Sequence, residues 1–421
     1  MLARRHPLII DGSTLEGGGQ VVRSCLSLAW MQKDQAIHIH SIRAGRPKPG
    51  LANQHLVGAR LAALLCGRHL SGDQKGSTEL SATPDTADHP LPATLLADAI
   101  TPGAVSLILQ AALPPLLFCA PGRELILRGG TDVSFSPPSA HTSRVLAPLL
   151  KLMGVQLDLR VVMPCFSSAG PLGEVRCRAQ LPSSGVLQPL DLVTRGTAVL
   201  VHGVVTTSEG GGEASNVCNV ALQQVLESMA CLQGANVLIE QVLTETVIEN
   251  GRGGGRMGGG RKGGGVEGRG GNGRGRSRGR GHGGGRGDRS RKMKIDCSVQ
   301  LAVTTDTGCV LSANVLRSVE RDGRGSDGLV SEVCKQLNAL LASGACACEH
   351  TTDQLIVFMA LAKGTSRLKA PPIECLTSQH LPTVLHFAQL LTGATFRVTT
   401  EAQGGCQMLE CDGIGAIASA H

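Results

Sequence analysis

Between Glu249 and Lys294 the chain reads "ENGRGGGRMGGGRKGGGVEGRGGNGRGRSRGRGHGGGRGDRSRKMK", and this Gly/Arg tract limits what the rest can build. It carries almost no apolar side chains, so burial cannot offset the entropy of ordering it. A core must therefore come from the two flanking stretches, with the tract as a flexible loop between them. Long surface insertions add little closure entropy, so an insertion without a role is one reading. A loose RNA-binding arm is the other, since Arg-Gly repeats suit phosphate contacts and guanidinium stacking on bases.

The tract also conceals the charge of the remainder. From Arg252 to Lys294 it holds 11 arginines and 3 lysines against Glu267 and Asp288, a surplus of 12, while the whole chain carries +7; the rest is therefore at −5. The folded part is mildly acidic. With 421 residues, 42% of them hydrophobic, there is room for two or three domains and a large core. The longest apolar run, "AVSLILQAALPPLLFCA" (104–120), is broken by Gln110 and a Pro-Pro pair and reads as buried core rather than a membrane span. The first residues show no signal-peptide pattern. Fifteen cysteines, an odd number without a CxxC pair, point to reduced thiols in a cytosolic or nuclear setting. Cys346, Cys348 and His350 lie close together, but without a second ligand pair they read as buried thiols beside an unrelated histidine.

On both sides of the tract the pattern is mixed α and β. "PLIIDG", "AIHIHSI", "ELILRGG" and "EVRCRAQL" read as strands, and "DCSVQLAVTTDTGCVLSA" as a hairpin. Helical periodicity runs through "VVRSCLSLAW", "NQHLVGARLAALLCG", "SRVLAPLLKLMG" and "EASNVCNVALQQVLESMACLQG". It returns in "GLVSEVCKQLNALLASG", "DQLIVFMALAKG" and "LPTVLHFAQLLTG". The expectation is an α/β (α+β) architecture with a boundary near "LPSSGVLQ" (181–188). The strand–helix rhythm repeats, without a clear repeat in the letters.

Three segments could carry chemistry. "EGGGQ" (16–20) precedes a helix bearing Arg23; such a run lets amides approach a phosphate, and Glu16 could hold a divalent cation. It matches neither phosphate-loop spacing, and read alone it fits a plain turn better. "SIRAGRPKPGLANQHL" (41–56) gathers Arg43, Arg46 and Lys48 in a stiff loop, a phosphate clamp or a solvated basic turn. Asp353 and Gln354 head an apolar helix, and His380 stands at the mouth of a Pro-started one, whereas His386 falls inside it and reads as packing. No tyrosine is present and aromatics are 2%, so base stacking on aromatics is scarce and RNA recognition would lean on cations and amides.

In this order, "DGSTLEGGGQVVRS", "SIRAGRPKPGLANQHL", "RGGTD" (128–132), "DQLIVFMALAKG" and "HLPTVLHFA" resemble the RNA 3′-terminal phosphate cyclase family. The resemblance implies a large domain of repeated two-helix, four-stranded units, with a smaller α/β domain inserted. Its parts would be residues 1–186 and 320–421, with the insert at 187–319 holding the Gly/Arg loop 250–293. It implies an ATP-dependent ligase that converts an RNA 3′-phosphate to a 2′,3′-cyclic phosphate through enzyme–histidine–AMP and RNA(3′)pp(5′)A intermediates. ATP with Mg²⁺ or Mn²⁺ is implied, the partner being RNA with a 3′-phosphate end and no membrane.

Residue by residue, the family's nucleophile falls on His380, with His386 as the alternative and Thr383 kept three residues on. Glu16 matches its metal- and ATP-proximal acid. Arg23, Arg43 and Gln54 match phosphate-side polar residues; Gln110, Pro137, Asp353 and Gln354 match residues lining the nucleotide pocket. His350 stands where the family commonly stacks a tyrosine on adenine, Ala140 where an aspartate is usual, and "SSAGPLGEV" (167–175) where a glycine run is usual. The resemblance and the Arg-Gly tract together suggest nuclear residence, with the cytoplasm as a second compartment. The competing class is a non-catalytic cyclase-like factor in ribosome biogenesis, which lacks EGGGQ and the nucleophile.

Overall fold

The computed structural model describes residues 6–32, 34–85, 90–166, 171–243, 294–372, 378–401 and 405–418. The Gly/Arg loop 250–293 and residues 167–170 of the altered glycine run lie outside them.

The chain repeats one topology. β1 (Leu8–Asp11), α1 (Gly19–Ser27), β2 (Ile37–His40), α2 (Asn53–Leu65), β3 (Arg68–Ser71) and β4 (Leu80–Pro84) make a sheet of order β1-β2-β4-β3. Its first two strands are parallel across α1, and the others are antiparallel. The second unit runs β5 (Thr94–Asp98), α3 (Val105–Phe118), β6 (Glu124–Gly129), α4 (Ser139–His141), a π-helical turn at Thr142–Leu146, α5 (Ala147–Leu152), β7 (Gln156–Met163) and β8 (Gly173–Gln180). Its order, β5-β6-β8-β7, repeats the first sheet with the same parallel and antiparallel pairs.

A third unit begins with β9 (Asp191–Leu192) and is then interrupted. A separate sheet follows: β10 (Ala198–Thr207), α6 (Gly212–Ser228), β11 (Asn236–Leu243), β12 (Lys294–Thr305), β13 (Val310–Glu320) and α7 (Ser326–Ser343), of order β11-β10-β12-β13. The third unit then resumes with α8 (Glu349–Leu361), β14 (Lys363–Ala370), α9 (His380–Thr392), β15 (Thr395–Thr400) and β16 (Gln407–Ile414), and β14 pairs parallel with β9. β9 at 191–192 still belongs to the third sheet, and α7 at 326–343 packs on β13 and α6.

Helices α1, α3 and α8 lie inside. Every residue of α1 except Gly19 is buried, and every residue of α3 except Gln110. A helix buried on all sides needs neighbours on all sides. Accordingly α1 packs on α2, α3 and α9, and α8 on α9 and α3. The apolar run at 104–120, expected to be core, is this central α3. Among the described residues no helix is long and apolar enough to cross a membrane.

The sheets cover this layer with one face wet. On β8, Val175, Cys177 and Ala179 are buried, while Arg176 and Arg178 alternate with them outward, Arg178 pairing with Glu124. The expected strands and helices all appear, although the "DQLIVFMALAKG" helix starts four residues early, at Glu349. The tetrapeptide EGGG also occurs a second time, at 209–212, again as a turn between a strand (β10) and a helix (α6) that leads to a parallel partner.

Candidate active site

The turn between β1 and α1 is built around its three glycines, Gly17, Gly18 and Gly19. Gly17 adopts φ +58°, a left-handed conformation glycine takes readily. Gly18 and Gly19 are needed for space instead. A Cβ on Gly18 would lie 2.1 Å from Glu16 Oε1, and one on Gly19 2.4 Å from His55 Nε2. The Glu16 carboxylate folds back so that Oε2 accepts the Gly18 N–H at 2.7 Å, while Oε1 pairs with Arg46 Nη2. Arg46 Nη2 also donates to the Glu16 carbonyl at 3.1 Å. The basic loop thus closes over the glycine turn. Arg43, at φ +55°, donates from Nη1 to the Gly50 carbonyl at 2.7 Å, and Lys48 is exposed.

Beneath this turn is a buried polar wall. Arg23 on α1 is 8% exposed; its Nη2 donates to Gln20 Oε1 at 2.6 Å, and its Nε has no partner. Burial lowers its pKa, with Glu16 and Asp353 opposing. Asp353 on α8 is also 8% exposed, with Oδ1 unpartnered; burial pushes its carboxyl up to about 7 against the pull of Arg23. Arg23, Asp353, Gln20, Gln110, Gln354 and Ser106 line one pocket, whose other side is apolar (Leu109, Leu113, Val357 and Phe358). Apolar walls with a few convergent polar groups are the usual form of a small-molecule site. Gln110 lines the pocket because it is the residue of α3 left incompletely buried.

His55 adds a donor. Its Nδ1 accepts the Ala52 N–H at 3.2 Å, which leaves the hydrogen of the neutral ring on Nε2, beside Gly19. Burial, reinforced by Arg23 and Arg43, drives its pKa down to about 3, so the ring is neutral at pH 7.

His380 is the first residue of α9. Its backbone N–H donates to Ser378 Oγ at 3.4 Å, and Ser378 Oγ donates to Glu349 Oε1 at 2.9 Å. Its Nδ1 is buried without a partner. Burial lowers its pKa, Arg23 and His350 add to that effect, and Glu16 and Glu349 oppose it. A neutral imidazole under the influence of a cation and a carboxylate can act as a nucleophile toward an activated phosphorus.

The expected residues therefore converge in part. Arg23 interacts electrostatically with Glu16, Asp353 and His380, His380 also interacts with Glu16, and Arg23, Gln110, Asp353 and Gln354 share the pocket. Pro137 is buried behind it, its carbonyl accepting from Ser106 Oγ at 2.8 Å. Gln54 spends its Oε1 on the Ala104 N–H at 3.0 Å, at the start of α3. His350 is exposed on the first turn of α8, and its carbonyl accepts from Gln354 Nε2 at 2.6 Å. His386, expected to be packing, is exposed instead, edge-on to Phe387 with ring centroids 4.9 Å apart, because α9 turns its apolar stripe through Val384, Phe387 and Leu391.

Gln20, His55, Ser106 and Glu349 were not singled out from the sequence. Gln20, His55 and Ser106 lie inside the segments EGGGQ, 41–56 and 104–120, and Glu349 precedes His350. Polar residues interrupting apolar helix faces were the available signal. Cys346 and Cys348 are buried thiols, Cys348 Sγ lying 3.0 Å from Thr351 Oγ1.

A family model described as RNA 3′-terminal phosphate cyclase matches residues 14–398 of this chain. A protein named RNA 3′-terminal phosphate cyclase from Drosophila melanogaster is 30% identical over 413 residues, covering 97% of this chain and 97% of that protein. One of the same name from Pyrobaculum neutrophilum is 28% identical over 406 residues, with 96% and 98% covered. A probable RNA 3′-terminal phosphate cyclase from Dictyostelium discoideum is 28% identical over 422 residues, covering 97% of this chain and 83% of the relative.

Proposed function

This chain belongs to the RNA 3′-terminal phosphate cyclase family, and we propose that it closes an RNA 3′-terminal phosphate to a 2′,3′-cyclic phosphate, with His380 carrying AMP between ATP and RNA. The family is an ATP-dependent enzyme family acting on RNA with a 3′-phosphate. In the first step a His380 ring nitrogen bonds to the α-phosphorus of ATP, the bond to the bridging oxygen breaks, and pyrophosphate leaves. An oxygen of the RNA 3′-phosphate then displaces the imidazole. Finally the neighbouring 2′-OH attacks the same RNA phosphorus, AMP departs with its oxygen, and the hydroxyl proton passes to solvent.

The observation that carries this reading is the position of a neutral His380 at the head of α9, under the influence of both Arg23 and Glu16. Arg23, with a buried Nε lacking a partner, is suited to polyphosphate charge, and His55 Nε2–H to a neutral hydrogen bond. Arg43, Arg46 and Gln54 would flank the phosphates, and Gln110, Pro137, Asp353, Gln354 and His350 the nucleoside. Mg²⁺ or Mn²⁺ would screen the triphosphate. Glu16 fits such an ion as a single carboxylate shared with the nucleotide, once Arg46 gives up Oε1. Among the described residues no group of three or more His, Cys, Asp and Glu is arranged to hold a metal by itself.

We also assign the sheet between β9 and α8 to an inserted domain, the Gly/Arg tract to auxiliary RNA contacts, and the protein to the nucleus, on the tract's composition. The non-catalytic reading is disfavoured by the presence of both EGGGQ and His380. The test is incubation with α-³²P-labelled ATP and Mg²⁺ or Mn²⁺: a covalent, acid-labile adduct should form and be abolished by His380→Ala. Labelling that survives His380→Ala but not His386→Ala would move the nucleophile. Absence of both adduct and cyclised RNA ends in the unaltered protein would remove the cyclase assignment.

A further inference from the structure

Glu16 and Thr383 are 367 residues apart in sequence, and the Thr383 side chain joins the turn bearing Glu16 to the helix bearing His380. Thr383 Oγ1 accepts the Glu16 N–H at 3.1 Å and donates its own hydrogen to the Gln379 carbonyl at 2.7 Å. Gln379 is the residue before His380 and the N-cap of α9. The Thr383 side chain is fully buried, so its hydroxyl is shielded from water. Its β-branch restricts χ1, which holds the hydroxyl between the two partners. A second chain of bonds, from the His380 N–H to Ser378 and from Ser378 to Glu349, ties the same helical turn to α8.

We propose that Thr383 is a positioning residue: its hydroxyl sets the separation between the imidazole of His380 and the Glu16 turn, and hence between nucleophile and polyphosphate. This rests on His380 as the nucleophile. Removing the hydroxyl while keeping the shape, as in Thr383→Val, deprives the Glu16 N–H of its acceptor and frees the turn to drift from α9. The Gln379 carbonyl keeps the Thr383 backbone N–H, at 3.1 Å, so the helix start itself survives. Misplacement by a fraction of an ångström is enough to slow an in-line displacement severely.

The experiment measures self-adenylylation in single turnovers across ATP concentrations for the unaltered protein, T383V and T383S, beside hydrogen exchange of the peptides covering 14–20 and 378–386. The T383V rate at saturating ATP should fall 10- to 100-fold, the half-saturating ATP concentration should change less than threefold, and exchange should quicken in both peptides. T383S, which keeps the hydroxyl, should recover most of the rate and the protection. A T383V protein that labels at the normal rate, or only in a smaller competent fraction at the normal rate, overturns the inference while leaving the cyclase reading intact. Unchanged exchange in the 14–20 peptide overturns it as well. No labelling in the unaltered protein overturns the cyclase reading first, and the positioning role with it.

Discussion

The guanidinium of Arg46 bonds both to the carboxylate and to the backbone carbonyl of Glu16, so the basic loop at 41–50 is pinned to the glycine turn that opens α1. Arg46 lies on the surface side of this pair, its side chain 44% exposed against 9% for Glu16. Half-exposed pairs of this sort contribute about 0–1 kcal/mol to stability. Arg46→Ala should therefore leave the melting temperature nearly unchanged. It should raise the half-saturating ATP concentration roughly tenfold, about 1.4 kcal/mol, through loss of a cation beside the phosphates. A large drop in melting temperature with ATP affinity intact would assign the pair to the fold instead.

Gly18→Ala is a way of moving Glu16 without deleting it. Gly18 has φ −129°, outside the left-handed region, and the new methyl would collide with the carboxylate, which can swing away. Stability should change by about 1 kcal/mol or less, while adenylylation falls at least tenfold. Combining Gly18→Ala with Glu16→Gln should add little beyond Glu16→Gln alone, because both act on one group. Full additivity in that double-mutant cycle would show that the methyl acts elsewhere.

Asp353 makes stability depend on pH. Its folded carboxyl titrates near 7, above the ordinary 3.8, so between those values the folded protein keeps a proton that the unfolded chain has lost. Stability from this group is therefore full below about pH 4, declines as pH rises through the window, and levels off above 7. Asp353→Asn removes that slope. Chemical denaturation from pH 4 to 8 should show the variant gaining on the parent by up to a few kcal/mol, at about 1.4 kcal/mol per unit. Parallel pH profiles would mean the carboxyl is not held neutral.

Burial works in the opposite sense on His55 and His141, both held near 3. Each must charge on unfolding below about 6.5, so stability drops as pH falls from 6.5 toward 3. His141→Gln should flatten part of that acid limb in a thermal melt series. An unaltered limb would show that His141 takes up its proton without unfolding.

Deleting residues 251–292 removes most of the positive surplus without touching β11 or β12, which end and begin at Leu243 and Lys294. The melting temperature should hold within a few degrees. Affinity for single-stranded RNA should fall, and its dependence on salt should become shallower, as counterion release requires. Unchanged affinity and salt slope would leave the tract without an RNA role.

Much of the fold was written locally. The all-apolar α3 and the alternation of "EVRCRAQL" are periodic patterns that a short window reveals, and the structure keeps both. The three-fold repeat was not legible in the letters. It resides in strand order and parallel pairing, and β9, only two residues long, carries no pattern of its own until β14 supplies a partner. His386 misled for a related reason: periodicity locates an apolar face without saying where that face ends.

For the site, the motif residues identified by resemblance came from the sequence alone, as did the separation of a basic tract from a mildly acidic body. Composition and local pattern depend only on neighbours along the chain, so they could be read directly. Whether EGGGQ is a bare turn or one wall of a pocket depended on Arg46, His55 and Thr383, which approach it from three other elements. So did the condition of Asp353 and His380, since burial and an opposing guanidinium, rather than residue type, set the charge each carries. Those are properties of long-range packing and local dielectric, and only the tertiary structure contains them.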